Sequence, residues 1–156
     1  MRIGHGFDVH PFGGDRPLVL GGVTFEGEAG LAGHSDADVI AHAVTDALLG
    51  AAGLGDIGLH FPDTDERWAG ADSVAMLAEA ARLLKAEGWA PVNVDCTVVL
   101  EAPKLAPRRE EIHRRLSEAV GAPVTVKGKR AEGLGSLGRG EGVACWAVAL
   151  VDRVDR

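Results

Sequence analysis

The run Val143–Val151, VACWAVALV, constrains the fold more than any other stretch of the chain. Its nine residues are all apolar, too few to cross a bilayer, which takes about 20 in a helix. In a strand successive side chains point to opposite faces, so both faces of this strand are apolar apart from the indole N–H of Trp146. Both faces must then be covered. Helices from a chain of 156 residues can cover one. The other face calls for a second subunit.

The rest of the chain supplies such helices. Arg2 to Val9 reads as a strand, and Pro17 to Phe25 as a hairpin turning at Gly21-Gly22. A helix of about four turns is expected from Ala37 to Ala52, with Ser35 or Asp36 as N-cap and Gly53 as its stop. Gly55 to Gly70 reads as loop. A second helix spans Ser73 to Glu87, with Leu77, Ala80, Ala81 and Leu84 at helical spacing and Gly88 ending it. Val92 to Leu100 is an expected strand. Pro107 opens a third helix with Glu110 and Glu111 in its first turn and Ile112, Leu116 and Val120 on one stripe. Val124 to Lys127 and Val143 to Val151 read as strands around a glycine-dense loop. This order predicts one α+β domain over residues 1–156, a mixed β-sheet with helices packed on one face.

A net charge of −7 argues against a nucleic-acid binder, because it leaves no uniform basic face. Cys96 and Cys145 both lie in apolar runs and read as reduced core thiols. No basic-plus-apolar leader opens the chain, so a cytoplasmic protein with no membrane partner is expected.

The candidate chemistry begins at Phe7-Asp8-Val9-His10. Asp8 and His10 share one face of a strand, about 7 Å apart, and can lean onto one metal ion with bonds of about 2 Å. A chance D-x-H on an exposed strand is the competing reading. On the first helix Asp38, His42 and Asp46 recur every four residues, off the stripe of Val39, Ile40, Ala43, Val44, Ala47 and Leu48. One nitrogen of His42 can bind a metal while the other donates to a carboxylate; a solvated polar face is the alternative. Asp8, His10 and His42 together make an O,N,N set for zinc with a fourth position open, the arrangement of a catalytic site.

His34 and Ser35 precede the same helix, where N–H groups and the dipole favour an anion; equally, they read as a surface histidine and a cap. The loop Gly55 to Asp65 carries Asp56, Asp63 and Asp65, which suit the hydroxyls of a polyol, or simply a polar turn. Glu101 to Pro107 is stiffened by prolines and presents fixed backbone groups to a base edge, with Lys104 as a cation. Lys127 to Gly142 holds six glycines and four cations, a cradle for phosphate or a flexible charged hairpin. It lacks the ending of a P-loop. Glu132 can hold a harder cation such as Mg²⁺.

The motifs MRIGHGFDVHPF, GLAGHSDADVIAHAVTDALLGAAGLGDIG, HFPDTD, GADS, EAPK and GRGEG, in this order, closely resemble the 2-C-methyl-D-erythritol 2,4-cyclodiphosphate synthases from Met1 to about Asp152. The resemblance implies an enzyme of non-mevalonate isoprenoid synthesis. Its substrate, 4-diphosphocytidyl-2-C-methyl-D-erythritol 2-phosphate, is cyclised by attack of the 2-phosphate on the β-phosphorus, with loss of CMP. It implies Asp8, His10 and His42 as zinc ligands, Asp8 and His10 also in contact with substrate, His34 as the stabiliser of the transition state, and Ser35 as a substrate contact. Asp56, Ile57 and Gly58 would meet the methylerythritol, with Phe61, Pro62, Asp63, Thr64 and Asp65 nearby. Leu100, Ala102, Pro103, Lys104, Leu105 and Ala106 would hold the cytosine, and Glu132 a Mg²⁺ or Mn²⁺ on the diphosphate. It also implies a homotrimer with the sheets facing the trimer axis, active sites between subunits, and Arg139 lining an axial channel that takes prenyl diphosphates.

One departure stands out. The family places threonines before the loop glutamate, and this chain has Lys129-Arg130-Ala131. Ala131 occupies a catalytic position without a hydroxyl, and Arg130 is a candidate substitute contact. Two other readings use the same residues: a zinc-dependent phosphoester hydrolase with Asp38 or Asp46 as general base, and a non-catalytic trimer that binds cytidine nucleotides.

Overall fold

A computed structural model describes residues 1–154. Strand β1 is Arg2–Gly14, longer than the expected Arg2 to Val9. The hairpin β2 (Leu18–Leu20) and β3 (Val23–Phe25) turns at Gly21-Gly22 as expected, both at positive φ. A short β4, Gly30–Leu31, was not foreseen. Helix α1 is Val39–Ala52, α2 is the single turn Ile57–His60, and α3 is Ser73–Ala86. Strand β5 is Trp89–Val99, α4 is Arg109–Val120, β6 is Val124–Lys129, α5 is the turn Gly135–Gly138, and β7 is Gly142–Arg153.

Three expectations need correcting. Helix α1 begins at Val39, and its N-cap is Asp38 rather than Ser35 or Asp36. Ser35 and Ala37 both have left-handed backbone, which holds the chain out of the helix until Asp38. Pro107 does not open α4; it lies in a 3₁₀ turn, Ala106–Arg108, just ahead of it. The segment 55–70 is not all loop, since α2 and a second 3₁₀ turn, Glu66–Trp68, are wound within it.

The main sheet has the order β4-β1-β7-β5-β6. β5 and β6 run parallel and the other neighbours antiparallel, which makes it the mixed sheet of an α+β fold. α1 lies over β1 and β7, α3 packs beside it and on β5, and α4 closes the layer over β6. On the covered face Cys145, Ala147, Ala149 and Val151 of β7 and Val94, Cys96 and Val98 of β5 are fully or almost fully buried. Both cysteines are free thiols. No helix among the described residues is long and apolar enough to cross a membrane.

The central contact is unusually close. Gly4 and Gly6 of β1 face α1, and a Cβ built on either would sit 1.9 Å from a helix carbonyl, that of Ala47 or Ala43. Only glycine lets strand and helix approach so far. The same face of β1 continues with Asp8 and His10, so the close approach carries them towards the first turns of α1.

The opposite face of the sheet is bare. Ile3 is 73% exposed, Phe7 44%, Val9 49%, Trp146 38% and Val148 47%. The rings of Phe7 and Trp146 pack across the β1–β7 pair with centroids 5.0 Å apart. Among the described residues no helix covers these side chains.

Candidate active site

Asp8, His10 and His42 meet where β1 passes over the start of α1. Asp8 Oδ2 lies 2.8 Å from His10 Nε2 and 3.0 Å from His42 Nδ1, and the two nitrogens are 3.3 Å apart. Ligand atoms at the corners of a zinc tetrahedron, with bonds of about 2.0–2.1 Å, are about 3.3 Å from one another. The donors therefore fit a small divalent cation: one carboxylate and two imidazoles, all within reach of one point. Burial disfavours the ionised form of Asp8, yet the bonds and charges of His10 and His42 prevail and hold its carboxyl below the usual carboxylate range. Burial likewise works against the charged His42, but the Asp8 carboxylate outweighs it and raises that imidazole's pKa.

The triad opens onto a cavity of about 350 Å³ that also meets His34, Ile57, Gly58, Phe61, Pro62 and Asp63. His34 Nε2 is buried and has no hydrogen-bond partner among the described residues. The wall formed by α2 is pinned from below, because Asp46 Oδ1 accepts from the Ile57 N–H at 2.7 Å. Asp56 caps α2 by accepting from the Leu59 N–H at 2.9 Å, and the rings of Phe61 and Trp68 stand nearly perpendicular with centroids 4.8 Å apart. Thr64 and Asp65 lie outside this wall. Asp65 is bound by the Arg67 guanidinium, which lowers its pKa.

The expected polar face of α1 does not exist. Asp38 and His42 are buried, at 0% and 8% exposure. Asp38 accepts from the N–H groups of Gly21 and Gly22 at 2.8 and 2.7 Å and from those of Ile40 and Ala41 at 3.2 Å. It ties the hairpin turn to the helix start. Burial, with the charge of Asp36, pushes its carboxyl up to about 6 against those bonds. Neither Asp38 nor Asp46 lines the cavity. A hydrolase that used either as general base would find both engaged in backbone bonds. The free nitrogen of His42 does not meet a carboxylate directly; it faces the buried hydroxyls of Ser35 and Ser73. Ser73 was not among the candidates. Two signals could have found it: it ends the GADS motif, and it heads the α3 stripe that continues through Leu77, Ala80 and Leu84, a hydroxyl where an apolar residue is due.

A second cavity, of about 330 Å³, lies at the same end of the strands but towards the opposite edge of the sheet, where β5 and β6 end. Leu100, Ala102, Pro103, Leu105 and Ala106 give it apolar walls, while Lys104, Arg109, Lys129 and Arg130 bring four cations against the single carboxylate of Glu101. Glu101 braces the loop through both oxygens: Oε1 accepts from the Ala131 N–H at 2.7 Å, and Oε2 lies 3.5 Å from Arg130 Nε. Glu132 is exposed and has left-handed backbone. Arg139 pairs with Glu141 at 2.6 Å. The two cavities share no lining residue.

These features have close counterparts. The chain is 54% identical over 156 residues to a 2-C-methyl-D-erythritol 2,4-cyclodiphosphate synthase of Bordetella petrii, an alignment that covers 98% of this chain and 96% of that one. The bifunctional IspDF of Campylobacter jejuni superposes with a TM-score of 0.94 at 39% identity; the match takes in 99% of this chain and 42% of the bifunctional one. A CDP complex of Plasmodium falciparum IspF superposes with a TM-score of 0.84 at 32% identity, over 99% of this chain and 97% of the other. The YgbB family profile matches residues 1–152, and the chain belongs to the YgbB family.

Proposed function

We propose that the Asp8–His10–His42 cavity and the cationic, apolar-walled cavity are the two halves of one site for cyclodiphosphate synthesis. The chain converts 4-diphosphocytidyl-2-C-methyl-D-erythritol 2-phosphate to 2-C-methyl-D-erythritol 2,4-cyclodiphosphate in isoprenoid synthesis. An oxygen of the 2-phosphate bonds to the β-phosphorus, the bond from that phosphorus to CMP breaks, and CMP leaves. Such a reaction between two anions of one molecule asks for alignment and charge neutralisation rather than a protein nucleophile. The observation that carries the reading is the triad of ligand atoms facing a cavity that His34 also lines.

Asp8, His10 and His42 would hold zinc, which when bound polarises and orients phosphoryl oxygens. His34, which lines the same cavity, would donate to an oxygen whose charge grows in the transition state. Ile57, Gly58, Phe61 and Pro62 form the wall against which the methylerythritol lies, and Asp56 and Asp46 keep that wall in position. In the second cavity Leu100 and Leu105 flank the cytosine, while Lys104 and Arg130 neutralise phosphate. Glu132 would give one carboxylate to a Mg²⁺ or Mn²⁺ held by the diphosphate. Ala131 brings no hydroxyl, so charge from Arg130 takes the place of a hydrogen bond there.

The occupant of the bare sheet face is a second and third copy of this chain. Ile3, Phe7, Val9, Trp146 and Val148 leave large apolar side chains exposed on one face of adjoining strands, the kind of surface that marks an interaction site. A homotrimer with the sheets turned to its axis covers it, sets Arg139 near that axis, and brings the two cavities of neighbouring copies together. The cytoplasm is its place of work.

The test is CMP release from the cytidylated substrate with and without a chelator. Cyclic diphosphate and CMP in equal amounts, lost on chelation and restored by zinc, is the expected result. Linear hydrolysis products, or nucleotide binding without turnover, would replace this reading with one of the other two.

A further inference from the structure

His42 uses one nitrogen, Nδ1, in the triad. The other, Nε2, points into the protein, and the groups around it settle where its hydrogen lies. Nε2 is 2.8 Å from Ser73 Oγ and 3.0 Å from Ser35 Oγ. The two hydroxyls are 3.0 Å apart, and both serines are buried, at 0% and 1% exposure. Asp36 stands behind them. Its Oδ2 accepts from the Ser73 N–H at 3.1 Å, and its Oδ1 accepts the Ser73 hydroxyl in a bond shorter than any other in the cluster.

A serine hydroxyl has one hydrogen and two lone pairs, and an ionised carboxylate only accepts. The hydrogen of Ser73 is therefore committed to Asp36. Its two lone pairs remain, one towards His42 Nε2 and one towards the Ser35 hydroxyl. A bare Nε2 would set lone pair against lone pair at 2.8 Å. Nε2 must carry the hydrogen, and in the neutral ring Nδ1 then presents its lone pair to Asp8 and His10. This one arrangement satisfies every donor and acceptor on the Ser35, Ser73 and Asp36 side, and the lone pair it leaves on Nδ1, 3.0 Å from the Asp8 carboxylate, is the one a cation would take up.

We infer that Asp36 and Ser73 are positioning residues for the metal site: the Asp36–Ser73–His42 line fixes His42 as the tautomer that offers Nδ1 to the cation and thereby sets the affinity of the Asp8–His10–His42 triad. This rests on the triad being a metal site, as proposed above. The loop that delivers Asp36 is built for the purpose. Ser35 and Ala37, on either side of it, have φ of 57° and 56°, a conformation that costs a non-glycine residue about 1 kcal/mol or more and persists only where its surroundings enforce it. Asp36 Oδ1 also accepts from the Asp38 N–H at 3.1 Å, which locks the loop to the helix cap. Removing a partner of this kind from a metal-bound histidine weakens metal binding by about 10–100-fold.

Zinc affinity of the full chain, measured by competition with a chromophoric chelator, tests this. Ser73→Ala and Asp36→Asn are each expected to lower it by about 10–100-fold. His10→Ala is the control and should lose binding outright. If His10→Ala loses zinc while Ser73→Ala binds it as the parent does, the line from Asp36 is overturned and the metal site stands. If His10→Ala also keeps its zinc, the metal site falls, and this inference with it. A second readout needs no variant. In the metal-free chain, at a pH where His42 is neutral, ¹⁵N spectra should show the hydrogen on Nε2. A hydrogen on Nδ1 would overturn the inference, whatever the affinities.

Discussion

The two faces of the main sheet are built from the same strands and solve opposite problems. On the helix side the residues are small: Gly4 and Gly6 on β1, and Ala147 and Ala149 on β7, set against Ala43, Ala47 and Ala51 of α1. On the bare side they are large: Ile3, Phe7 and Val9, with Trp146 and Val148 beside them. Small residues permit approach, and approach is what brings strand-borne Asp8 and His10 to helix-borne His42. Large residues supply area, and area is what would hold copies together in the proposed trimer. The lesson is that the triad depends on the thinness of one face, and the proposed completion of its site by a neighbouring copy on the bulk of the other. Each face can be broken without touching the other.

Breaking the covered face should cost most. Gly6→Ala puts a methyl group 1.9 Å from the Ala43 carbonyl oxygen, and neither backbone can yield without parting strand from helix. Loss of about 3 kcal/mol or more is expected, read as a lower denaturant midpoint, together with loss of zinc. An unchanged midpoint would mean that the approach is not tight. Phe7→Lys strikes the other face. Sedimentation should show monomer and assays no CMP release, since an unpaired charge buried at an interface costs about 3–5 kcal/mol. The zinc affinity of the triad should survive, and its loss would show that the two faces are not independent.

Mixing two dead variants sharpens the contrast. His42→Ala destroys the metal half, and Ala102→Trp fills the nucleotide cavity. Co-assembled after denaturation in equal amounts, they should recover about one quarter of the parent activity by random assortment around a cyclic trimer. No recovery would place both halves in a single subunit. The smallest effect belongs to the departure in the loop. Ala131→Thr should leave activity intact or raise it. Arg130→Ala should raise KM several-fold with a small change in fold stability, because its exposed pair with Glu101 contributes only about 0–1 kcal/mol. A large fall in activity in Ala131→Thr would show that the loop works by other contacts.

Period carries far in this chain and backbone conformation does not. The two-residue alternation of β1 put Asp8 and His10 on one face, and the apolar stripes of α1, α3 and α4 were legible within a residue or two. The uncovered face of β7 was legible from Val143–Val151 alone. The cap of α1 was not, because Ser35, Asp36 and Asp38 are all good capping residues, and the choice among them rests on left-handed backbone at Ser35 and Ala37 that no propensity foretells. The same conformation turned Asp36 inward to Ser73, so the support of His42 came from a helix more than thirty residues away rather than from the neighbouring Asp38 or Asp46. Nor could Gly4 and Gly6 be weighed, since a glycine at a close approach and a glycine in an ordinary strand look alike in sequence.

In the proposed trimer, two cavities without a common wall make turnover a matter of company. If neighbours complete each centre, a solitary copy is inert however well it folds, and specific activity falls on dilution as subunits separate. Below the concentration that holds three copies together, halving the supply of the chain would then more than halve its output.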